Sequence, residues 1–372
     1  MAGAAEGTVL DRRRLNRAYL ARQWLLRREP RGALEAVEHL VGLQAQHPNP
    51  PYAGLFGRLE GFRFGELADL MLQRAVVRGT LMRGTVHLAS ARDLLALRPL
   101  LQPHLARQIN GTPSGKAVPA ADRAELLDFG RRLLDEQPRT VAELRQLLGE
   151  RWPDRDADAL AHVLRFELPT VHVPPRGVWG RGGRATHATV ESWLGAPLDP
   201  EPDRAAMLRR YLAAFGPATA ADVTAWSGMT GWRPTVERLR PALVVHRDAC
   251  GRELFDLPGA PLPPADTPAP VRLVAEFDNL TLSHADRTRI VAEADRPRLM
   301  SRNGIVPGTL LVDGFVAGTW RWDLGRTSAT LTVTPWSRLT PADHAAAESE
   351  AHALLAAAAP EAAPRVAVGT PE

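Results

Sequence analysis

The sequence predicts an α+β, mainly helical protein in which a helix, a turn, a second helix and a β-hairpin recur three times before a C-terminal β/α extension. Three observations carry this reading. Apolar residues at helical spacing give way to short β-branched runs in the same order in each repeat. Two of the repeats open on the same cap, Thr140 with Glu143 and Thr219 with Asp222, each pair a threonine followed three positions later by an acid. A proline-rich stretch, residues 258–270, then separates the repeats from a strand-rich tail. A chain of 372 residues is also long enough to fill more than one core.

The elements follow in order. Leu15, Ala18, Tyr19, Ala21, Leu25 and Leu26 line one stripe of a helix over residues 10–28, and Leu34, Val37, Leu40, Val41 and Gln44 do so over 33–44. His47, Pro48, Asn49, Pro50 and Pro51 break the chain. Helices near 52–59 and 64–73 precede strand-like runs at 75–80 and 82–89. In the second repeat a capped helix at 139–144 and a helix at 156–167 lead into strands at 170–173 and 177–180. In the third, a helix from Thr219, the turn 227–230 and a helix at 232–240 lead into strands at 243–246 and 253–257. Helix, turn, helix and hairpin make a winged helix. The predicted units are 9–110, 118–198 and 199–258, followed by an extension over 271–360 with strands at 271–277, 309–316 and 329–333 and a helix at 341–359; the last dozen residues are expected to fray.

Composition narrows the function classes. The formal charge is only +4, but the pI of about 9.9 suits a polyanionic partner. Cys250 is the only cysteine, which excludes an internal disulfide and a cysteine-rich zinc site. The histidines are scattered and there is no phosphate-binding glycine loop or nucleophile elbow, so neither metal nor cofactor is expected. No segment reaches the ~20 apolar residues that span a bilayer, and residues 1–10 lack a leader pattern; we expect a cytoplasmic protein with no membrane partner. Trp179, Trp193, Trp226 and Trp232 are expected in the core.

The unusual local feature is Gln44-Ala45-Gln46-His47-Pro48 where the second helix should end. On a regular helix the two amides diverge; they converge if the helix stops between them. By spacing alone this is weak, since terminal glutamines usually face water.

Gln44-Ala45-Gln46, Pro50-Pro51-Tyr52 and the run from Arg78 through Arg83, Gly84, Thr85, Val86 and His87 to Leu88 together resemble the AlkZ-like winged-helix DNA glycosylase family. Phe277-Asp278-Asn279-Leu280, Ser283-His284-Ala285-Asp286-Arg287 and the run from Gly308 to Trp320 extend the likeness over nearly the whole chain. The resemblance implies three winged helices around a concave channel for double-stranded DNA, with Gln44 and Gln46 as the catalytic pair. A second glutamine, where a sister branch has aspartate, places the chain beside the branch associated with unhooking interstrand crosslinks. The resemblance thus implies hydrolysis of the N-glycosidic bond of alkylated purines, and the chemistry of glutamine narrows these to cationic, N7-alkylated ones.

Glutamine is no base at neutral pH, but a cationic N7-alkylpurine leaves as a neutral base and needs no protonation. Placing water and meeting an oxocarbenium-like sugar is a task that amides can perform. Lys116, the sole lysine, lies in a loop outside every matched motif, so a water-using, monofunctional enzyme that leaves abasic sites is expected. Strand alternation puts Arg83, Thr85 and His87 on one wet, DNA-facing side of the first wing; Arg78, Ser283, His284 and Arg287 are the other expected DNA contacts. Asp278 and Glu276 are expected to pair with Arg272 or Arg287, or else to support catalysis. Three unequal units suit an asymmetric, monomeric clamp. The alternative is a winged-helix protein that binds DNA without catalysis, as a transcription regulator or damage-binding module.

Overall fold

The computed structural model describes residues 5–299 and 304–370. The chain opens with β1 (Ala5–Leu10), α1 (Arg12–Arg22), α2 (Ala33–His39), β2 (Leu43–Gln44), α3 (Pro50–Phe56) and α4 (Phe64–Leu72). The hairpin β3 (Val76–Thr80) and β4 (Val86–Ser90) follows, then the long α5 (Ala91–Asn110). Next come α6 (Pro113–Ala117), α7 (Ala120–Glu136), β5 (Arg139–Thr140), α8 (Val141–Arg151), α9 (Ala157–Glu167), β6 (Thr170–His172), β7 (Thr186–Thr189) and α10 (Val190–Leu194). The third stretch holds α11 (Arg204–Phe215), α12 (Ala220–Ser227), α13 (Arg233–Leu239), β8 (Val244–Asp248) and β9 (Glu253–Asp256). The C-terminal part is β10 (Arg272–Val274), β11 (Gly308–Val312), β12 (Phe315–Leu324), β13 (Ser328–Pro335), α14 (Pro341–Ala358) and β14 (Ala363–Val368).

Both threonine caps form complete capping boxes: Thr140 with Glu143 starts α8, and Thr219 with Asp222 starts α12. The hairpins are less separate than the sequence suggests. β3 pairs with β6 through Arg78 opposite His172 and Gly79 opposite Val171, which fuses two hairpins into one six-stranded sheet of order β2-β4-β3-β6-β7-β5. Gly79 permits this approach, because a Cβ there would lie 3.0 Å from the Leu94 side chain and 3.1 Å from the Thr170 carbonyl. A second sheet, β1-β8-β9, is edged by β1 running parallel to β8, and a third has the order β10-β11-β12-β13-β14.

The cores cross the predicted unit boundaries. One apolar cluster joins Tyr19 and Leu81 with Tyr211, Trp226, Phe277 and Leu280. Another, with Leu126, Leu144 and Leu164, stays within residues 109–168. Trp226 and Trp232 are fully buried, while Trp179 and Trp193 pack half-buried against cores.

Several expected elements need correction. The first helix stops at Arg22, where Trp24 turns left-handed (φ 57°). The strand expected at 177–180 is β7 instead, and the one expected at 82–89 is interrupted by a tight turn at Met82–Gly84. Lys116 lies in the short α6, not in a loop. The tail does not fray throughout: β14 runs parallel to β13, with Leu331 opposite Val366. Nor is the proline-rich stretch a free linker. Arg13, Arg17 and Arg22 of α1 donate to the carbonyls of Ala265, Thr267 and Pro261 at 2.8, 2.6 and 3.0 Å, strapping it to the helix.

Candidate active site

The glutamine motif lies on an edge strand, not on a helix. α2 ends five residues before Gln44, in a cap where Val41 takes a left-handed φ of 55°. The N–H groups of Val41 and Gly42 close it by donating to the carbonyls of Glu38 (3.1 Å) and Val37 (2.9 Å). The chain then enters β2, where Leu43 pairs with Leu88 and Gln44 with His87. The Ala45 N–H donates to the Val86 carbonyl at 2.7 Å, so the extended course continues through Ala45. Residues two apart on an extended chain share a face, and this brings Gln44 and Gln46 to the same hairpin tip.

That tip distorts the ladder in a way that engages both amides. An unbroken antiparallel pair would have Val86 N–H donate to the Ala45 carbonyl. Instead Arg78 takes that carbonyl at 2.7 Å, and Gln46 Oε1 accepts from the Val86 N–H at 3.3 Å. Arg83, with φ 57° in the tight turn, sends its guanidinium inward. Nη2 donates to Gln44 Oε1 at 2.7 Å and to Asn279 Oδ1 at 3.2 Å, while Nη1 donates to the Trp226 carbonyl. A guanidinium only donates, so Arg83 fixes the Gln44 amide with oxygen toward itself and NH2 away. Among the described residues nothing accepts from that NH2 group. Burial lowers the Arg83 pKa to about 10, which leaves it charged at neutral pH.

Asn279 completes the frame. Its amide nitrogen donates to the Gly42 carbonyl at 3.2 Å, where the chain enters β2. Asp278 caps the turn that carries Asn279 by accepting from the Leu280 N–H at 2.9 Å. It also forms a buried two-pronged pair with Arg58, at 2.7 and 2.8 Å. Asp278 is therefore ion-paired as expected, but to Arg58 rather than Arg272 or Arg287. Glu276, two residues earlier, meets His47 Nδ1 at 3.1 Å instead.

The expected DNA-facing side of the hairpin is overturned. His87 is fully buried, its Nδ1–H donates to the Thr85 carbonyl at 3.0 Å, and burial followed by the nearby Arg83 charge lowers its pKa to about 3. Arg78 is 2% exposed and spends its guanidinium on Ala45. Ser283 and His284 are interior too. The Ser283 carbonyl accepts from the Tyr211 hydroxyl at 2.8 Å, and His284 Nε2 donates to the Phe215 carbonyl at 3.0 Å. Side chains so enclosed do not reach phosphate. Arg83, Thr85 and Arg287 are half-buried. The alternation failed because the turn at Met82–Gly84 resets which side each residue faces.

Asn279, Arg58 and the His47–Glu276 pair escaped the sequence reading. Asn279 stood inside a quoted motif, but only the fold shows that it shares Arg83 with Gln44. Among the described residues no group of three or more His, Cys, Asp or Glu is placed to hold a metal, and no helix is long and apolar enough to cross a membrane.

Comparison with known proteins places the chain among its relatives. A relative from Streptomyces sahachiroi, an interstrand DNA cross-link repair glycosylase, is 27% identical over 326 residues, 81% of this chain and 85% of that protein. The solved structure of the Streptomyces sahachiroi DNA glycosylase AlkZ superposes with a TM-score of 0.74, covering 97% of this chain and 100% of that one. At 22% identity this likeness establishes the mixed α/β fold. The family model described as DNA glycosylase AlkZ-like matches residues 37–357. The chain belongs to the AlkZ-like DNA glycosylase family.

Proposed function

We propose that this chain is a monofunctional DNA glycosylase for N7-alkylated, cationic purines in duplex DNA, that it unhooks interstrand crosslinks, and that it leaves abasic sites. The scaffold in this reading is three winged helices, at 9–110, 118–198 and 199–258, which grip DNA as a monomer with the extension at 271–360 packed beside them. Of the predicted contacts, Thr85 and Arg287 are half-buried rather than enclosed, while Arg83 is turned inward onto Gln44. One observation carries the reading: Gln44 and Gln46 both engage one hairpin tip, and Arg83 fixes the orientation of the first amide.

The two amides then differ in role. As the C1′–N9 bond breaks, its electron pair flows into the base and cancels the N7 cation. The Gln44 NH2 group, polarised by Arg83 on its carbonyl, donates to the acceptor atoms of the departing base. Gln46 is exposed and its carbonyl is held only by the 3.3 Å contact with Val86, so it accepts from the incoming water. Water oxygen bonds to C1′, the purine leaves neutral, and the proton lost by the water ends in solvent.

The test is release of base from duplex DNA methylated at guanine N7, with unmethylated duplex alongside. Release of N7-methylguanine and strand scission only after hot alkali are expected. Comparable release of normal guanine would contradict selection by leaving-group reactivity. Borohydride should trap no covalent adduct, since the sole lysine, Lys116, lies outside the site. DNA binding without any base release would favour a non-catalytic damage-binding module.

A further inference from the structure

The glutamine pair lacks a proton acceptor, and the structure supplies one at the next residue. His47 Nδ1 lies 3.1 Å from Glu276 Oε2, and the ring packs edge-on against Phe277 at 5.3 Å. Phe277 is itself held in a left-handed conformation (φ 55°), with its N–H donating to the Val306 carbonyl at 3.2 Å. The carboxylate accepts from Nδ1–H, which leaves the Nε2 lone pair free, and among the described residues nothing hydrogen-bonds to Nε2. Unlike the buried His87 and His284, His47 is open: its side chain is 54% exposed and that of Glu276 is 35% exposed.

Both ends of the motif thus dock on one short segment. Gln44 reaches Asn279 through Arg83, and His47 reaches Glu276 directly, three residues earlier in the chain. Segment 276–279 is rigid where it matters, because Asp278 is locked by Arg58. A carboxylate that orients an exposed imidazole one residue along the chain from a water-holding amide supplies the parts of a general base.

We infer that His47, oriented by Glu276, is the general base of this site and takes the proton of the water that attacks C1′. The inference rests on the glycosylase reading above. The step balances without another reactant: a water O–H proton moves to Nε2, the oxygen–C1′ bond forms, the C1′–N9 bond breaks, and its electron pair neutralises the leaving purine. His47 later returns the proton to solvent. His47 acts on the water; Glu276 is a positioning residue.

Single-turnover release of N7-methylguanine from a methylated duplex tests it, with DNA affinity and thermal unfolding measured on every variant. His47→Ala should lower the excision rate about 100-fold with affinity and unfolding unchanged. Added imidazole should restore part of the rate to His47→Ala and none to Gln44→Ala, a response that a merely structural role would not produce. Glu276→Gln keeps an acceptor for Nδ1–H but loses the charge, so a loss of about tenfold is expected, with no further loss when it is added to His47→Ala. Wild-type rates in His47→Ala, or an impaired rate that imidazole leaves unmoved, would overturn the dyad while the Gln44→Ala defect keeps the glycosylase reading standing. No release by the wild type would overturn both.

Discussion

At the scale of single residues, the decisive one is Arg83. It is half-buried, carries a left-handed backbone and gives one nitrogen to Gln44 and Asn279 while the other meets the Trp226 carbonyl. Only a planar fork can serve these acceptors together. Lysine at this position carries the same charge and pays the same backbone cost but offers a single point of donation. Arg83→Lys should therefore lower the excision rate about tenfold with little change in duplex affinity, as a freed Gln44 amide samples both orientations. Wild-type kinetics in this variant would show that the amide needs no fixing. Arg83 was legible in the sequence as a member of a motif, but its direction was not. Alternation along a strand assigns it to a wet face, whereas a single left-handed residue in the turn sends it inward.

At the scale of elements, the site is a short edge strand clasped between a hairpin tip and the segment that follows β10. Gln44 and Gln46 were identifiable from the motif, but the helix expected beneath them was not there. Val37, Leu40 and Val41 keep helical spacing, and periodicity alone cannot see that Val41 and Gly42 already form the cap. Gly42 was the available signal, since glycine just past an apolar run commonly ends a helix. The clasp depends on Arg58, next to the end of α3, and Asp278, 220 positions away, a separation that no local pattern reveals. Both side chains are at most 2% exposed, so removing one strands the other charge in the interior. Asp278→Ala should cost about 3–5 kcal/mol in urea unfolding. Pairing it with Arg58→Met should recover a large part of that loss, because no unpaired charge remains. Equal instability of the single and double variants would assign the loss to packing instead.

At the scale of the whole molecule, the helix–turn–helix–hairpin order was legible and the joining of hairpins was not. Strand pairing between β3 and β6 depends on which edges meet in space, and the lone glycine that lets them approach is one among 30. The fused sheet has a cost in acid. His172 and His187 meet edge-to-face at 4.5 Å within it, and burial lowers their pKa values to about 2 and about 3; burial likewise lowers that of His87 to about 3. These groups are neutral when folded and take protons near pH 6.5 when unfolded, so the unfolded state binds more protons below that pH. Stability is complete above about 6.5 and falls as pH drops toward 3, by up to about 1.4 kcal/mol per pH unit for each histidine. The urea midpoint should drop between pH 7.5 and 5.5; an unchanged midpoint would refute this. All of this architecture serves one claim, that two amides at a hairpin tip hydrolyse a damaged nucleoside. The direct measurement is single-turnover release of N7-methylguanine by wild type, Gln44→Ala and Gln46→Ala at saturating protein, with duplex affinity measured in parallel. Release by the wild type, reduced at least about 100-fold in each variant at near-normal affinity, is the predicted result. Release unchanged in both variants would place the chemistry elsewhere in the molecule.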